Sequence, residues 1–265
     1  MIFWRSEDTS LFEGDGEEHL LSALSAAGVN RFFPQAWASL RRILPECMPR
    51  GETADWHVRE LACGEHSFRI GVVASGSERR VVDSLVAGGF SASLFVNGRV
   101  ETEFSLYLHR LVCTNGMVRK TAAAAKFESA TLDGWVAQAK ERLPGIIAGH
   151  SSGFETFSKA YQVRLGLLRP LLPLVLDYMG APEPERTMVV EAFAYEPGDT
   201  LGHFANALSR SANLVMVSLG VPPEMALQKR DRLQAASMHV VESFLESAQS
   251  GRSLVDLAGS WKGLL

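Results

Sequence analysis

Hydrophobic positions change their spacing twice along this chain, and each change marks a new kind of element. In residues 17–28, Leu20, Leu21 and Leu24 fall on one side of a short predicted helix, with Gly28 as its stop. A second helix is predicted from Pro34, a good first-turn residue, to Leu44 before Pro45. The stretch Pro45–Asp55, with Pro45, Pro49 and Gly51, reads as a linker. From Trp56 the period shortens to about two. Trp56, Val58, Leu61, Phe68, Ile70 and Val72 alternate with polar residues as in half-buried strands, and Gly64-Glu65 can turn the chain between them. Residues 90–96 alternate again before Asn97-Gly98, a two-residue hairpin signal whose positions tolerate positive φ. The return strand carries Val100, Thr102, Phe104, Leu106 and Leu108 towards Cys113. Arg79–Ala87 reads as either a strand or a short helix.

After Thr121 the helical period returns. Ala122 to Ala125 favour a helix, and Asp133 is placed to cap another that runs to Ala148. Residues 154–165 and 167–179 suggest two more, the second bent at its prolines, and Pro182 and Pro184 mark a loop. Asp199 or Thr200 then caps an amphipathic helix with Leu201, Phe204, Leu208, Ala212, Val215 and Leu219 on one stripe. Gly220 ends it, and a long helix follows Pro222-Pro223 to Ala248. The pattern predicts an α+β fold: an antiparallel β-hairpin sheet at 56–113, N-terminal helices and a mainly helical C-terminal half. The expected division is a helical segment 1–50 and a domain 51–265, whose β-rich core (56–120) precedes its helical part (121–265). One continuous domain is the alternative.

Charge alters this picture only locally. The 265 residues carry a formal net charge of −4, so no global basic field draws in nucleic acid. Residues 57–126 hold nine basic residues, Arg59, Arg69, Arg79, Arg80, Arg99, Arg110, Arg119, Lys120 and Lys126, against six acidic ones. The local excess is three, compatible with a solvated face or with a binding surface. Three cysteines, Cys47, Cys63 and Cys113, form no CxxC pair and point to a reducing, cytoplasmic setting. The acidic N-terminus lacks a signal layout, and the longest apolar stretch (166–179) is interrupted by Arg169, Pro170 and Pro173, so no membrane partner is expected.

Catalytic signatures are sparse. Gly71–Gly76 has phosphate-loop spacing, but Ser77 and Glu78 stand where Lys and a hydroxyl residue are required. His57, Cys63 and His66 are three potential ligands at irregular spacing, better read as ordinary histidines and a buried thiol, so no metal is expected. His109 and Cys113 on one strand would lie about 13 Å apart, too far for a Cys-His nucleophile without a bend. No nucleotide or other cofactor is implied. On the helix at 200–219, His203, Asn206, Arg210 and Asn213 fall within about 80° of one another. They make either a solvated face or, lacking Glu and Lys, a surface suited to phosphate and base contact.

Residues 110–118, RLVCTNGMV, follow the alternating strand directly. They resemble the Arg-hydrophobic-hydrophobic-Cys-polar-Asn motif of the domain-of-unknown-function 932 family, a phage- and plasmid-associated group, with Arg110, Cys113, Asn115 and Gly116 at its positions. LGHFANALSRSAN (201–213) is similar to that family's later helix through Asn206 and Ala207. The likeness spans residues 57–220. The family's Asn-Ser-His-Asp-Gly stretch is replaced here by Ala87-Gly88-Gly89-Phe90-Ser91. The resemblance implies phage- or mobile-element-type DNA metabolism. Asn115-Gly116 can also simply turn the chain into a helix, placing Arg119 and Lys120 at its N-terminus, where two cations would favour an anion.

These features lead to the expectation of a nucleic-acid-binding protein that contacts or anneals single-stranded DNA in recombination, and that assembles as a homo-oligomer. Arg79, Arg80, Arg99, Arg110, Arg119 and Lys120 would meet the backbone, with Phe95, Phe104 and Tyr107 available to stack bases. His203, Asn206, Arg210 and Asn213 would join them. Two alternatives stand beside it: a mobile-element protein that binds a host or phage protein, and an enzyme using Cys113 or the His203/Asn206/Arg210 region.

Overall fold

The computed structural model describes residues 2–5, 30–47, 55–82, 84–110, 115–119, 126–166, 168–196, 198–217, 223–250 and 261–265. The expected helix at 17–28, Cys113, Lys120 and the four alanines 122–125 lie outside these. The fold is α+β, with a mostly helical C-terminal half. The chain divides into two compact units: Met1–Arg79, Leu85–His109 and Lys120–Ser151 form one, while Arg80–Ser84, Arg110–Arg119 and Ser152–Leu265 form the other.

In the first unit, strands β1 (Ile2–Arg5), β2 (Trp56–Cys63), β3 (Ser67–Ala74), β5 (Ser84–Asn97) and β6 (Arg99–Arg110) lie in that order. A short β4 (Arg79–Val81) precedes β5 in the chain, and β8 (Lys126–Ser129) pairs antiparallel with β6, Val100 opposite Ser129. β2 pairs antiparallel with β3, and β3 with β5. In β2 the register shifts between Val58 and Glu60, a bulge at Arg59 that lets Val58, Leu61 and Cys63 share one face despite their uneven spacing. That face, together with Phe68, Ile70, Val72, Phe90, Ala92, Leu94, Val100, Phe104, Leu106 and Phe127, is closed by helices α1 (Phe32–Cys47) and α2 (Leu132–Ala148). The first described helix therefore belongs to the same core as the sheet and forms no separate helical segment. It also continues through Pro45.

The hairpin turn falls where the sequence places it: β5 ends at Asn97 and β6 begins at Arg99, with Gly98 taking φ +73°. β5 is longer than the alternation suggests because it runs through Gly88-Gly89. A Cβ at Gly89 would stand 1.7 Å from the Val72 carbonyl oxygen, so only glycine lets β3 and β5 meet there. Trp135 on α2 is fully buried, and its Nε1–H donates to Thr102 Oγ1 at 2.8 Å. The α2 cap is Thr131, whose hydroxyl accepts from the Gly134 N–H at 3.2 Å; Asp133 lies inside the first turn.

In the second unit, β7 (Asn115–Arg119) lies with helices α3 (His150–Ala160, begun in the first unit), α4 (Leu168–Tyr178), α5 (Glu183–Ala194), α6 (Leu201–Val217) and α7 (Pro223–Ser250). α6 packs on α5 and α7, and β7 lies against α6 and α7. The apolar stripe of α6 is buried as its period requires, with Leu201, Phe204, Leu208 and Ala212 at 0% exposure. Pro182 and Pro184 do not mark a loop. Pro182 is the N-cap of α5, and Glu183 and Glu185 complement the positive end of the helix in its first turn. Asn115-Gly116 does not end a strand among the described residues. The pair opens strand β7, which carries Arg119 at its end, and the next described element is strand β8.

Candidate functional site

Tyr161 is the residue around which the second unit gathers its polar side chains. α3 ends at Ala160, and the Tyr161 N–H still donates to Ser158 O. The chain then extends and pairs with the segment entering α6: Leu165 N–H donates to Asp199 O at 2.8 Å and Leu201 N–H to Val163 O at 2.9 Å. This pairing brings the Tyr161 ring flat against Gly202, where an added Cβ would lie 2.7 Å from ring carbon Cδ2. Glycine at 202 is thus a packing requirement of Tyr161.

Asn206, one turn further along α6 and fully buried, donates Nδ2–H to the Tyr161 hydroxyl at 2.5 Å. Arg110, the last residue of β6, donates Nε–H to Ser84 Oγ at 2.7 Å and Nη1–H to Glu196 at 3.2 and 3.4 Å. Glu196 is 3% exposed, so this ion pair is a buried one. Burial pushes the Tyr161 hydroxyl above its usual range. The charge of Arg110 and hydrogen bonds with Asn206 and Ser84 act against that rise, and Glu196 adds to it. Arg110 and Asn206, far apart in the sequence, therefore both act on one tyrosine. Val82 sits close by in the chain at φ +54°, a strained conformation for a β-branched residue, two positions before Ser84.

His203 has a structural task. The Thr200 hydroxyl accepts from the His203 N–H at 3.4 Å, and the His203 ring Nδ1 accepts from the Thr200 N–H at 3.4 Å. This is a capping box with histidine in the place of the usual Glu or Gln. The same Nδ1 is 2.7 Å from Thr200 Oγ1, and the ring meets Tyr161 edge-on at 5.0 Å. Arg210 and Asn213 continue the stripe at intermediate exposure. The Arg210 guanidinium carbon lies 5.2 Å from the centroid of the Tyr195 ring, and Tyr195 is 74% exposed. The stripe is not a uniformly solvated face: Asn206 is internal, His203 caps the helix, and Arg210 and Asn213 remain accessible.

The other sequence candidates separate from this group. Arg80 is exposed in the second unit, and Arg79 is exposed in the first. Arg99, also in the first, is exposed and 3.7 Å from Glu128. Arg110 is held by Glu196 and so does not project towards a backbone phosphate. Arg119 ends strand β7, and Lys120 with the residues expected to form the anion-binding helix lies outside the described residues. Of the three aromatics, Phe104 and Tyr107 are fully buried and only Phe95, at 46%, is open. Phe104 packs in the core edge-on to Phe90 and tilted against Phe127 and Trp135. Tyr107 joins Glu60, His109 and Arg69 in a buried network of the first unit, its hydroxyl 3.3 Å from Glu60 and 2.9 Å from His109 Nδ1.

Cys63 lies in the core and donates its thiol to Gly64 O, whereas His57 bonds Ser75 Oγ, so the possible ligands His57, Cys63 and His66 do not converge. Among the described residues no group of three or more His, Cys, Asp or Glu could hold a metal ion, and no helix is long and apolar enough to cross a membrane. Sequence reasoning missed Ser84, Tyr161, Tyr195 and Glu196. None of them belongs to a motif or a periodic pattern, so none carries a local signal. Comparison with protein-family models, curated proteins and solved structures finds no match for this chain.

Proposed function

We propose that this chain is a nucleic-acid-binding protein of phage or mobile-element type that holds single-stranded DNA, without a metal or nucleotide cofactor, in annealing or recombination. One observation carries the reading. The open part of the α6 polar stripe keeps Arg210 and Asn213 accessible, has no carboxylate in it, and borders the exposed aromatic ring of Tyr195. Cations beside an open ring are the working parts of single-strand binding. The buried pair Arg110–Glu196 and the Tyr161–Asn206 bond hold this face in shape and do not touch the strand.

With a net charge of −4, the protein would owe its affinity to a few local contacts. Two or three neutralised phosphates give a slope of log affinity against log salt of about −1.4 to −2 for single strands. The test is fluorescence anisotropy of labelled single- and double-stranded oligonucleotides across a salt series. The expected result is salt-sensitive binding of the single strand, with Arg210→Ala flattening the slope by about 0.7. Absence of binding at low salt contradicts the reading. Self-assembly belongs to the same proposal and is measured by light scattering with and without the oligonucleotide. The acidic balance and the exposed Val190 and Leu214 on α5 and α6 favour a second reading, a protein partner seated on these helices.

A further inference from the structure

Tyr195 is an unusual residue to leave in water. It is 74% exposed, yet its backbone is fixed on both sides. Its own N–H donates to Ala192 O as the C-cap of α5, and the Glu196 N–H donates to Phe193 O at 3.1 Å. Phe193 is 1% exposed in the core and edge-on to Phe204 of α6. Glu196 is locked by Arg110, which Ser84 holds in turn. The ring thus projects from a segment with little freedom. Arg210 covers part of one side, and the rest of the ring is open.

A large apolar surface held rigidly in solvent gains nothing for folding, and a tyrosine loses little conformational entropy when a flat partner lies on it. Every nucleobase presents such a face, but only when it is unstacked from its neighbours, which excludes an intact duplex. A guanidinium over the ring leaves its edge N–H groups to a phosphate, to which they can donate as a fork. We infer that Tyr195 is the stacking platform for one unpaired base, that Arg210 contacts the phosphate of the same strand, and that the Ser84–Arg110–Glu196 chain is the support that holds the platform out. This rests on the nucleic-acid reading above and assigns that reading its base-contacting residue.

The test compares the full chain with Tyr195→Ala and Tyr195→Phe in the same anisotropy assay, the thermal midpoint of each variant being recorded alongside. Because the ring is exposed, both variants should melt with the parent. Tyr195→Ala should lose roughly 5- to 150-fold in single-strand affinity, the range of one base–aromatic stack, with an unchanged salt slope because the ring carries no charge. Tyr195→Phe should bind as the parent does. Unchanged affinity in Tyr195→Ala overturns the platform while leaving the nucleic-acid reading intact. Equal losses in Tyr195→Ala and Tyr195→Phe also overturn it, because the hydroxyl would then be the contact. If the parent protein fails to bind either strand at low salt, the underlying reading falls first.

Discussion

Glu196 and Arg110 show how much a single residue can be asked to do in this fold. Each is nearly excluded from water, so neither charge is tolerable without the other. Arg110→Met should destabilise the second unit by about 3–5 kcal/mol, whereas Arg110→Met combined with Glu196→Met should recover most of that loss. Equal denaturant midpoints for the single and double variants would contradict the pairing. His150 offers a pH test. Its Nε2–H donates to Gly89 O at 3.0 Å, and burial lowers its pKa despite that bond. The unfolded chain therefore takes up a proton first as pH falls below the ordinary histidine range of about 6.5. Stability present above that pH should decline below it, and the decline should be shallower in His150→Gln when melting is followed across the window. The thiols of Cys47 and Cys63 are pushed up by burial to about 11 and about 12. Both should resist alkylation at neutral pH until the protein unfolds, as peptide mass spectrometry would register. At this scale the sequence is a partial guide. Arg110 and Asn206 stand out within their motifs, but Tyr161 and Glu196 do not, because burial of a polar residue is decided by what folds over it.

At the scale of elements, legibility follows the strength of the local period. The β5–β6 hairpin could be read because alternation and Asn97-Gly98 agree, and α6 because six apolar residues recur along one side of the sequence pattern. The segment after Cys113 misleads for the opposite reason: Asn115-Gly116 is compatible with a turn, yet its backbone is drawn into strand β7 beside α6 and α7. Tertiary packing overrides the local preference. The prolines at 182 and 184 mislead too, because proline breaks a helix interior but suits its first turn. The cap of α2 can be checked directly. Thr131→Ala removes the acceptor for Gly134 N–H and should cost about 1 kcal/mol in chemical denaturation, whereas Asp133→Ala should cost less.

For the whole molecule, two compact units divide the labour. The first is a sheet closed by α1 and α2 around an aromatic core; the second is a helical assembly in which Arg110, Tyr161, Glu196 and Asn206 are gathered. The sequence-based expectation spread the binding surface over the sheet, with Arg99, Phe104 and Tyr107, and over the polar stripe of α6, with His203, Asn206, Arg210 and Asn213. Burial of both aromatics and the Arg99–Glu128 pair leave the proposal with the face of α6. No periodicity announces that narrowing, since strand aromatics look alike whether they face core or solvent until the opposite layer is in place.

Photocrosslinking of a halogenated-uracil single strand, read by tryptic mass spectrometry, tests the central proposal most directly. Cleavage after Arg186 and Arg210 isolates the peptide Thr187–Arg210, which carries Tyr195 and most of the α6 stripe, from Val81–Arg99, which carries Phe95 of the hairpin. Adducts are expected on Thr187–Arg210, centred on Tyr195 and lost in Tyr195→Ala. Adducts confined to Val81–Arg99, or none at all under low-salt conditions, would contradict the assignment of single-strand binding to α6.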